Sequence, residues 1–372
     1  MQNGKIGIIT IHDIYNYGSV FQAYATLKCL HKMGCQAELI DYKYPNAYHQ
    51  KNNIKSEVLS FGNRVLKDVL PGRPYSKYKN SYKTFKEKFY HLSEHSYPTI
   101  ESLMVNPPIY DIYMLGSDQV WRPQTMKGDP CFFLNFVSDR KKISYASSFG
   151  CNVIPEVYRQ QYMDALNQFS YLSVRECQGA AIINELTGKS AEVVLDPTLL
   201  LNREEWLKVA HPYQIKEPYI LCYGLDEKNK FMETLALYIQ KQTGFNVVRL
   251  NGKFFDYFNK KMHYILDAGP QHWLSLFDHA SFILAKSFHA TAFAINFKKP
   301  FLSILNGKND HDSRQKYLLT LLGLESRAIT IGDRFPKNSN LELFFEDYSS
   351  SIELLNLEKI KSEKYLKNAI EN

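Results

Sequence analysis

Four short runs concentrate the side chains able to do chemistry, and each follows an apolar stretch of strand length. The first is Lys286-Ser287-Phe288-His289-Ala290-Thr291. Apolar residues from Phe282 to Ala285 precede it and a helical pattern from His289 to Asn296 follows, so it lies where a strand's carboxyl end meets a helix start. Backbone N–H groups at a helix start favour an anion, and Lys286 adds positive charge beside them. His289 in the first turn is placed to give a proton to whatever those groups hold. The plainer alternative is that Ser287 caps the helix and His289 is structural. The second run is Leu115-Gly116-Ser117-Asp118-Gln119-Val120-Trp121. Asp118 suits a base or a partner for sugar hydroxyls, and Trp121 offers an aromatic face to a sugar ring. Its alternative is a turn with Asp118 capping the next helix. The third, Asn16-Tyr17-Gly18-Ser19 followed by Gln22, joins a first strand to a helix without the G-x-G-x-x-G spacing of a dinucleotide site. The fourth is Ser173-Val174-Arg175-Glu176, where an arginine fork matches a carboxylate or phosphate, or simply pairs with Glu176.

These runs need a scaffold that brings strand ends together. The chain has 372 residues, too many for one ordinary core, and predicts two domains. Strand-like Ile6 to Ile11, helical Val20 to Met33 and strand-like Ala37 to Tyr42 open a doubly wound α/β domain, with Gly34 as the helix stop. Residues 47–100 are helical in pattern and rich in Lys and Tyr, with a break at Pro71-Gly72-Arg73-Pro74; they predict a helical insertion in the first domain. Strand patterns return at 112–115, 142–146, 171–174 and 191–195. Leu195-Asp196-Pro197-Thr198 and the polar stretch to Pro218 form an exit linker. A second series follows: strands at 219–223, 246–250, 282–285 and 301–304, with helices at 228–243, 269–279 and 289–296. The expected architecture is therefore α/β, two Rossmann-like domains facing a cleft. The first covers 1–200 and the second 201–340, with a helical tail at 341–372.

Composition narrows the partners. The net charge is +7, a mild positive field that attracts anions without demanding nucleic acid, and no basic run interleaved with glycine, zinc-knuckle spacing or RNP-like motif occurs. The six cysteines form no C-x-x-C pair and lie in apolar segments, as reduced core thiols do, so no metal site is expected from them. No signal-peptide pattern and no apolar stretch near the roughly 20 residues of a spanning helix is found, which predicts a cytoplasmic protein. The basic, Tyr-rich segment from Arg64 to Tyr90 allows peripheral contact with the inner membrane face, a solvated helix face being the alternative.

Taken together the runs resemble one family. Asn16-Tyr17-Gly18-Ser19-Val20-Phe21-Gln22-Ala23-Tyr24-Ala25, Gly116-Ser117-Asp118-Gln119-Val120-Trp121, Ile143-Ser144-Tyr145-Ala146-Ser147-Ser148-Phe149-Gly150, Ser173-Val174-Arg175-Glu176, Val194-Leu195-Asp196-Pro197-Thr198 and Ser287-Phe288-His289-Ala290-Thr291-Ala292-Phe293 are similar, in order, to signatures of the polysaccharide pyruvyl transferases. The resemblance spans about Lys5 to Tyr317. It implies a GT-B-like fold, phosphoenolpyruvate as donor substrate with no cofactor, and a saccharide acceptor. The acceptor would be a hexose, galactose as its 4,6-ketal, on a polyprenyl-diphosphate-linked capsule or exopolysaccharide unit. On this resemblance His289 is the acid and Asp118 the base. Arg175, Lys286, Ser287, Phe288 and Arg314 face the donor; Asn16, Tyr17, Gly18, Ser19, Gln22, Ser117, Gln119 and Trp121 face the acceptor. Many relatives carry Arg-Leu-His where this chain has Ser287-Phe288-His289, so the donor clamp must draw a cation from elsewhere, Lys286 or Arg314. Two other functions stay compatible with the fold: a GT-B glycosyltransferase using a nucleotide sugar, and a non-catalytic saccharide-binding relative.

Overall fold

The computed structural model describes residues 4–50, 74–216, 218–224, 230–250, 262–307, 309–335 and 348–372. The break at Pro71-Gly72-Arg73, the first part of the basic stretch (64–73), the helix start at 228–229 and the tail start at 341–347 lie outside these residues.

The chain divides into two compact units. The first gathers residues 1–53, 88–201 and 356–372. Its sheet contains β1 (Ile6–Ile9), β2 (Ala37–Tyr42), β3 (Leu92–Tyr97), β4 (Ile112–Leu115) and β5 (Lys141–Ser144), in the order β3-β2-β1-β4-β5, every pair parallel. β1 and β4 are buried along their whole length, which is why each reads as a continuous apolar run. Short β6 (Ser173–Val174) and β7 (Glu192–Val193) extend the layer beyond β5, through bridges from Ile143 to Tyr171 and from Ser147 to Val174. The helix Tyr17–Lys32 follows β1 and is buried on nearly all sides as far as Leu30. From the far end of the chain, the helix Ser349–Glu371 supplies Tyr365, whose hydroxyl donates to the Ser144 carbonyl at 2.9 Å. Ser362 on that helix accepts the Leu195 N–H at 2.9 Å.

The second unit gathers residues 54–87 and 202–355. Its sheet contains β8 (Tyr219–Gly224), β9 (Asn246–Leu250), β10 (His263–Ile265), β11 (Phe282–Lys286), β12 (Phe301–Leu305) and β13 (Ala328–Thr330). The order is β10-β9-β8-β11-β12-β13, again all parallel. Each sheet thus starts in its middle, winds outward, then returns to the other side of its first strand. The order reverses between β1 and β4 in one unit and between β8 and β11 in the other. Those reversals open crevices at the strands' carboxyl ends, where open α/β sheets bind ligands.

Two sequence expectations change here. The segment 47–100 was expected to be a helical insertion of the first domain. It includes the helix Pro74–Phe89, but residues 74–87 group with the second unit, where Ser81 packs so closely on Gly269 that any side chain there would collide with it. It also includes β3, whose six residues bury only Ser93 and Tyr97. An edge strand with so little apolar content carries no strand pattern in sequence. Of the six cysteines, five are buried as expected, and Cys177 is exposed.

Candidate functional site

In the first unit the crevice is built where β1, β4 and β5 end. Asn16 caps the helix Tyr17–Lys32 by accepting the Ser19 N–H at 3.2 Å, which turns the Ser19 hydroxyl toward β4. Ser19 donates to Asp118 Oδ2 at 2.6 Å. The other Asp118 oxygen accepts the Gln119 N–H at 2.9 Å and lies 3.4 Å from an Arg175 terminal nitrogen. Asp118 holds φ at +84°, a conformation that costs a non-glycine residue of order 1–3 kcal/mol and is kept only where the surroundings enforce it. The enforcement is visible: Ser148 N–H donates to the Asp118 carbonyl at 2.9 Å, and Asp118 bridges to Ser147 in parallel register.

Arg175 is the hub beneath this carboxylate. Its guanidinium is fully buried and faces Asp196 at 2.9 Å, Asp118 at 3.4 Å and Glu176 at 3.9 Å. Burial works against its charge, but the three carboxylates outweigh burial and hold its pKa above the ordinary arginine value. Asp196 is shared further: Ser117 donates to it at 2.8 Å, and Thr198 donates through both its N–H and its hydroxyl. Ser148 secures Glu176 at 2.7 Å. Five separate sequence runs therefore meet in one hydrogen-bonded network.

That network corrects several expectations. Arg175 is not an open clamp for a donor anion, because more negative than positive charge already surrounds it. Trp121 is wholly buried, its indole N–H donates to the Phe132 carbonyl, and its ring packs on Phe133, Phe149 and Phe169; no sugar reaches its face. Tyr17 is buried and stacked on Phe21, and Gln22 is buried with its amide donating to Thr10, the Ile11 carbonyl and the Ser19 carbonyl. Ser117 is likewise fully buried. These three shape the loop rather than line the crevice. Gly18 is buried in the first helical turn. Gln119 is half-buried, its amide pressed against Gly150, and its Nε2 has no acceptor among the described residues.

Spacing did not single out a second set of polar residues along the same edge. His12, just past β1, is buried and sits 3.0 Å from the Thr10 carbonyl and 3.3 Å from Asp41 Oδ1. Lys43 reaches both Asp41, at 2.8 Å, and Asp13, at 3.2 Å. Burial pushes the Asp41 carboxyl up, but hydrogen bonds from His12, Lys43 and Ser96 prevail and hold it well below the usual carboxylate range. Tyr44 follows. Burial, then the negative charges of Asp118 and Asp129, push its hydroxyl up to about 12, against a hydrogen bond with Thr125 and the positive charge of Arg122. A cue was present in sequence, since polar residues follow β1 and β2 as they follow β4.

In the second unit the run Lys286 to Thr291 lies where the sequence placed it. Lys286 is the last residue of β11 and pairs with Gly224 at the end of β8; a side chain at Gly224 would approach Lys286 Cβ at 2.9 Å. Ser287 is the N-cap of the helix Phe288–Asn296, accepting the Ala290 N–H at 3.2 Å. Its hydroxyl is thereby committed to the backbone. Phe288 is buried and meets the half-buried His289 ring edge-on at 5.2 Å. Below them Thr291, Ser303 and Gln315 form a buried hydrogen-bonded cluster that fixes the helix on β12. Arg314 is half-buried on the helix Asn309–Leu321, two residues after Asp312, which accepts from Asn306 and Gly307 and so ties down the loop after β12.

Two parallel sheets of this strand order define a GT-B-like α/β protein made of two Rossmann-like domains. Solved structures of low identity share that fold. Arabidopsis thaliana UGT89C1 complexed with quercetin matches with a TM-score of 0.51 and 11% identity, over 99% of this chain and 98% of that one. An E. coli structure described as trehalose-6-phosphate bound with UDP-2-fluoro glucose matches with a TM-score of 0.53 and 10% identity, over 99% of each chain. No curated protein matches the sequence significantly. The sequence profile of the polysaccharide pyruvyl transferases matches residues 16–308. The chain belongs to the polysaccharide pyruvyl transferase family. Among the described residues, no helix is long and apolar enough to cross a membrane.

Proposed function

We propose that the protein transfers the pyruvyl group of phosphoenolpyruvate to two hydroxyls of a saccharide, forming a ketal and releasing phosphate. One observation carries the reading. Inside the family match, Asp118 is held at the order reversal of the first sheet with one oxygen on the Ser19 hydroxyl and the other beside Arg175. The donor is an enol ester of phosphate. Protonation of its CH2 carbon places positive character on the neighbouring carbon, and a sugar hydroxyl attacks there while losing its proton. Phosphate then leaves with its bonding electrons and a second hydroxyl closes the ketal. The two protons lost by the hydroxyls balance the one gained by the methyl group and the one carried by phosphate.

In this scheme His289 gives the proton to carbon, and Lys286 and Arg314 attract the donor's phosphate and carboxylate. Asp118 takes the hydroxyl proton, with Ser19 as its bonded neighbour. Arg175 acts as a positioning residue for Asp118. No cofactor is required by the chemistry. We propose galactose as the hexose, ketalised across its 4 and 6 hydroxyls, within a polyprenyl-diphosphate-linked unit of a capsule or exopolysaccharide. Support for an inner membrane face is the exposed Lys77 and Lys83 on the helix Pro74–Phe89. The test is incubation with phosphoenolpyruvate and lipid-linked saccharides, read by mass spectrometry of the acceptor and by phosphate release. Release of UDP from a UDP-sugar with no phosphate release would favour a nucleotide-sugar glycosyltransferase. Inertness toward both would leave a saccharide-binding relative.

A further inference from the structure

We infer that Arg122 is the oxyanion-binding residue of the first unit, holding a carboxylate or phosphate of a substrate at the mouth of the crevice beside Asp118. The inference rests on the pyruvyl transfer reading only for the identity of the anion. Arg122 follows directly on the buried Trp121, so its backbone is fixed, and its N–H donates to the Gln119 carbonyl at 3.2 Å to close the turn. Its side chain is half-buried, and its Nε is shut off from solvent with no acceptor among the described residues. No ion pair engages the guanidinium among those residues. Arg175, just after β6, by contrast faces three carboxylates.

A buried N–H of a charged group without an acceptor loses its hydration and gains nothing in return. The same turn carries a second such donor, the Gln119 amide nitrogen. Two unmatched donors in the turn that carries Asp118 describe a place prepared for acceptor oxygens. Tyr44 lies near enough for the charges of both Arg122 and Asp118 to act on its hydroxyl, and it packs edge-on against Phe132 at 5.7 Å. A planar fork of N–H donors suits a carboxylate or phosphate on a small substrate. Two sources carry that chemistry: phosphoenolpyruvate itself, or an acidic group on the acceptor sugar.

Isothermal titration of wild type, Arg122→Gln and Arg122→Lys with phosphoenolpyruvate, galacturonate and galactose separates them. The expected result is a loss of about tenfold or more in affinity of Arg122→Gln for one of the two anions, since a charge-assisted pair of bonds is removed. Lysine should restore part of it, as a point charge without the fork. A loss confined to phosphoenolpyruvate assigns the donor; one confined to galacturonate, with galactose unchanged, assigns an acidic acceptor. Should the glutamine variant fail to fold, the lysine variant alone must show the weakened binding. Wild-type affinity of the variants for both anions, or wild-type protein that binds neither, overturns the inference. Failure of the pyruvyl transfer reading shows separately, as Arg122-dependent anion binding without phosphate release.

Discussion

Replacing Arg175 distinguishes a structural hub from a ligand clamp. The Arg175→Gln variant leaves Asp196, Glu176 and Asp118 facing one another without a cation, at positions now 2.9, 3.9 and 3.4 Å from the guanidinium. At an effective dielectric of about 20, each such contact corresponds to roughly 4 kcal/mol of attraction, most of it offset by the cost of burying the charges. Breaking a buried network by removing one partner typically costs about 3–5 kcal/mol, because the remaining charges stay buried and unpaired. Both Arg175 and Asp196 are fully buried, so solvent screening does not reduce that figure. For a unit of this size the loss corresponds to a drop of roughly 6–20 °C in its melting transition. Differential scanning calorimetry and urea titration measure it, and Arg175→Lys should recover part, keeping charge but losing the fork. Phosphoenolpyruvate affinity of any folded fraction should change little. A glutamine variant that melts within about 1 °C of wild type but no longer binds phosphoenolpyruvate would refute the structural role and restore the clamp.

Further perturbations probe other parts of the account. Trp121→Ala should destabilise the first unit by about 3–5 kcal/mol, as large core deletions do, with the loss seen in denaturant midpoint; an unchanged midpoint with weakened sugar binding would put the ring back in the crevice. His289→Ala should lower the rate of phosphate release by about 10²–10⁴-fold with an unchanged melting temperature, and near-normal turnover would remove it as the acid. Asp129 is fully buried, and burial pushes its carboxyl up to about 6 against bonds from the Cys131 N–H and the Tyr42 hydroxyl. Between its unfolded value of about 3.9 and that folded value, the folded state binds more protons, so wild-type stability should fall as pH rises through this window. Asp129→Asn should flatten the fall by about 2–3 kcal/mol, measured as unfolding free energy against pH; equal slopes in the two proteins would contradict it.

Much of the scaffold was legible in the sequence, for a physical reason. Strands buried on both faces are apolar along most of their length, so β1, β4, β8, β11 and β12 stand out from the polar loops between them, and β2 and β9 keep apolar centres around a few charged residues. The polar runs at their carboxyl ends mark the crevices because a buried polar cluster has to be satisfied or used. β3 was hidden in a segment that reads as helical, and short β10 and β13, at or near the sheet's far ends, carry too few residues for a pattern. Within the site, residue type was legible and side-chain direction was not. Trp121 lies three positions after Asp118, yet it turns into the core while Asp118 turns to the crevice. Arg175 and Asp196 are 21 residues apart, and only folding shows that the arginine's charge is spent on carboxylates. Arg122 is silent in sequence for the opposite reason: nothing in its neighbours reveals that, among the described residues, its Nε has no acceptor and its guanidinium no ion pair.

The most direct test of pyruvyl transfer is a stoichiometric one. Purified protein is mixed with phosphoenolpyruvate and a galactose-terminated acceptor, and phosphate release and the acceptor's mass and NMR spectrum are followed together. Pyruvyl transfer gives one phosphate per ketal formed, with the new methyl group attached to a carbon bonded to two sugar oxygens. Phosphate release without a ketal, or sugar transfer from a UDP-sugar in its place, would contradict it.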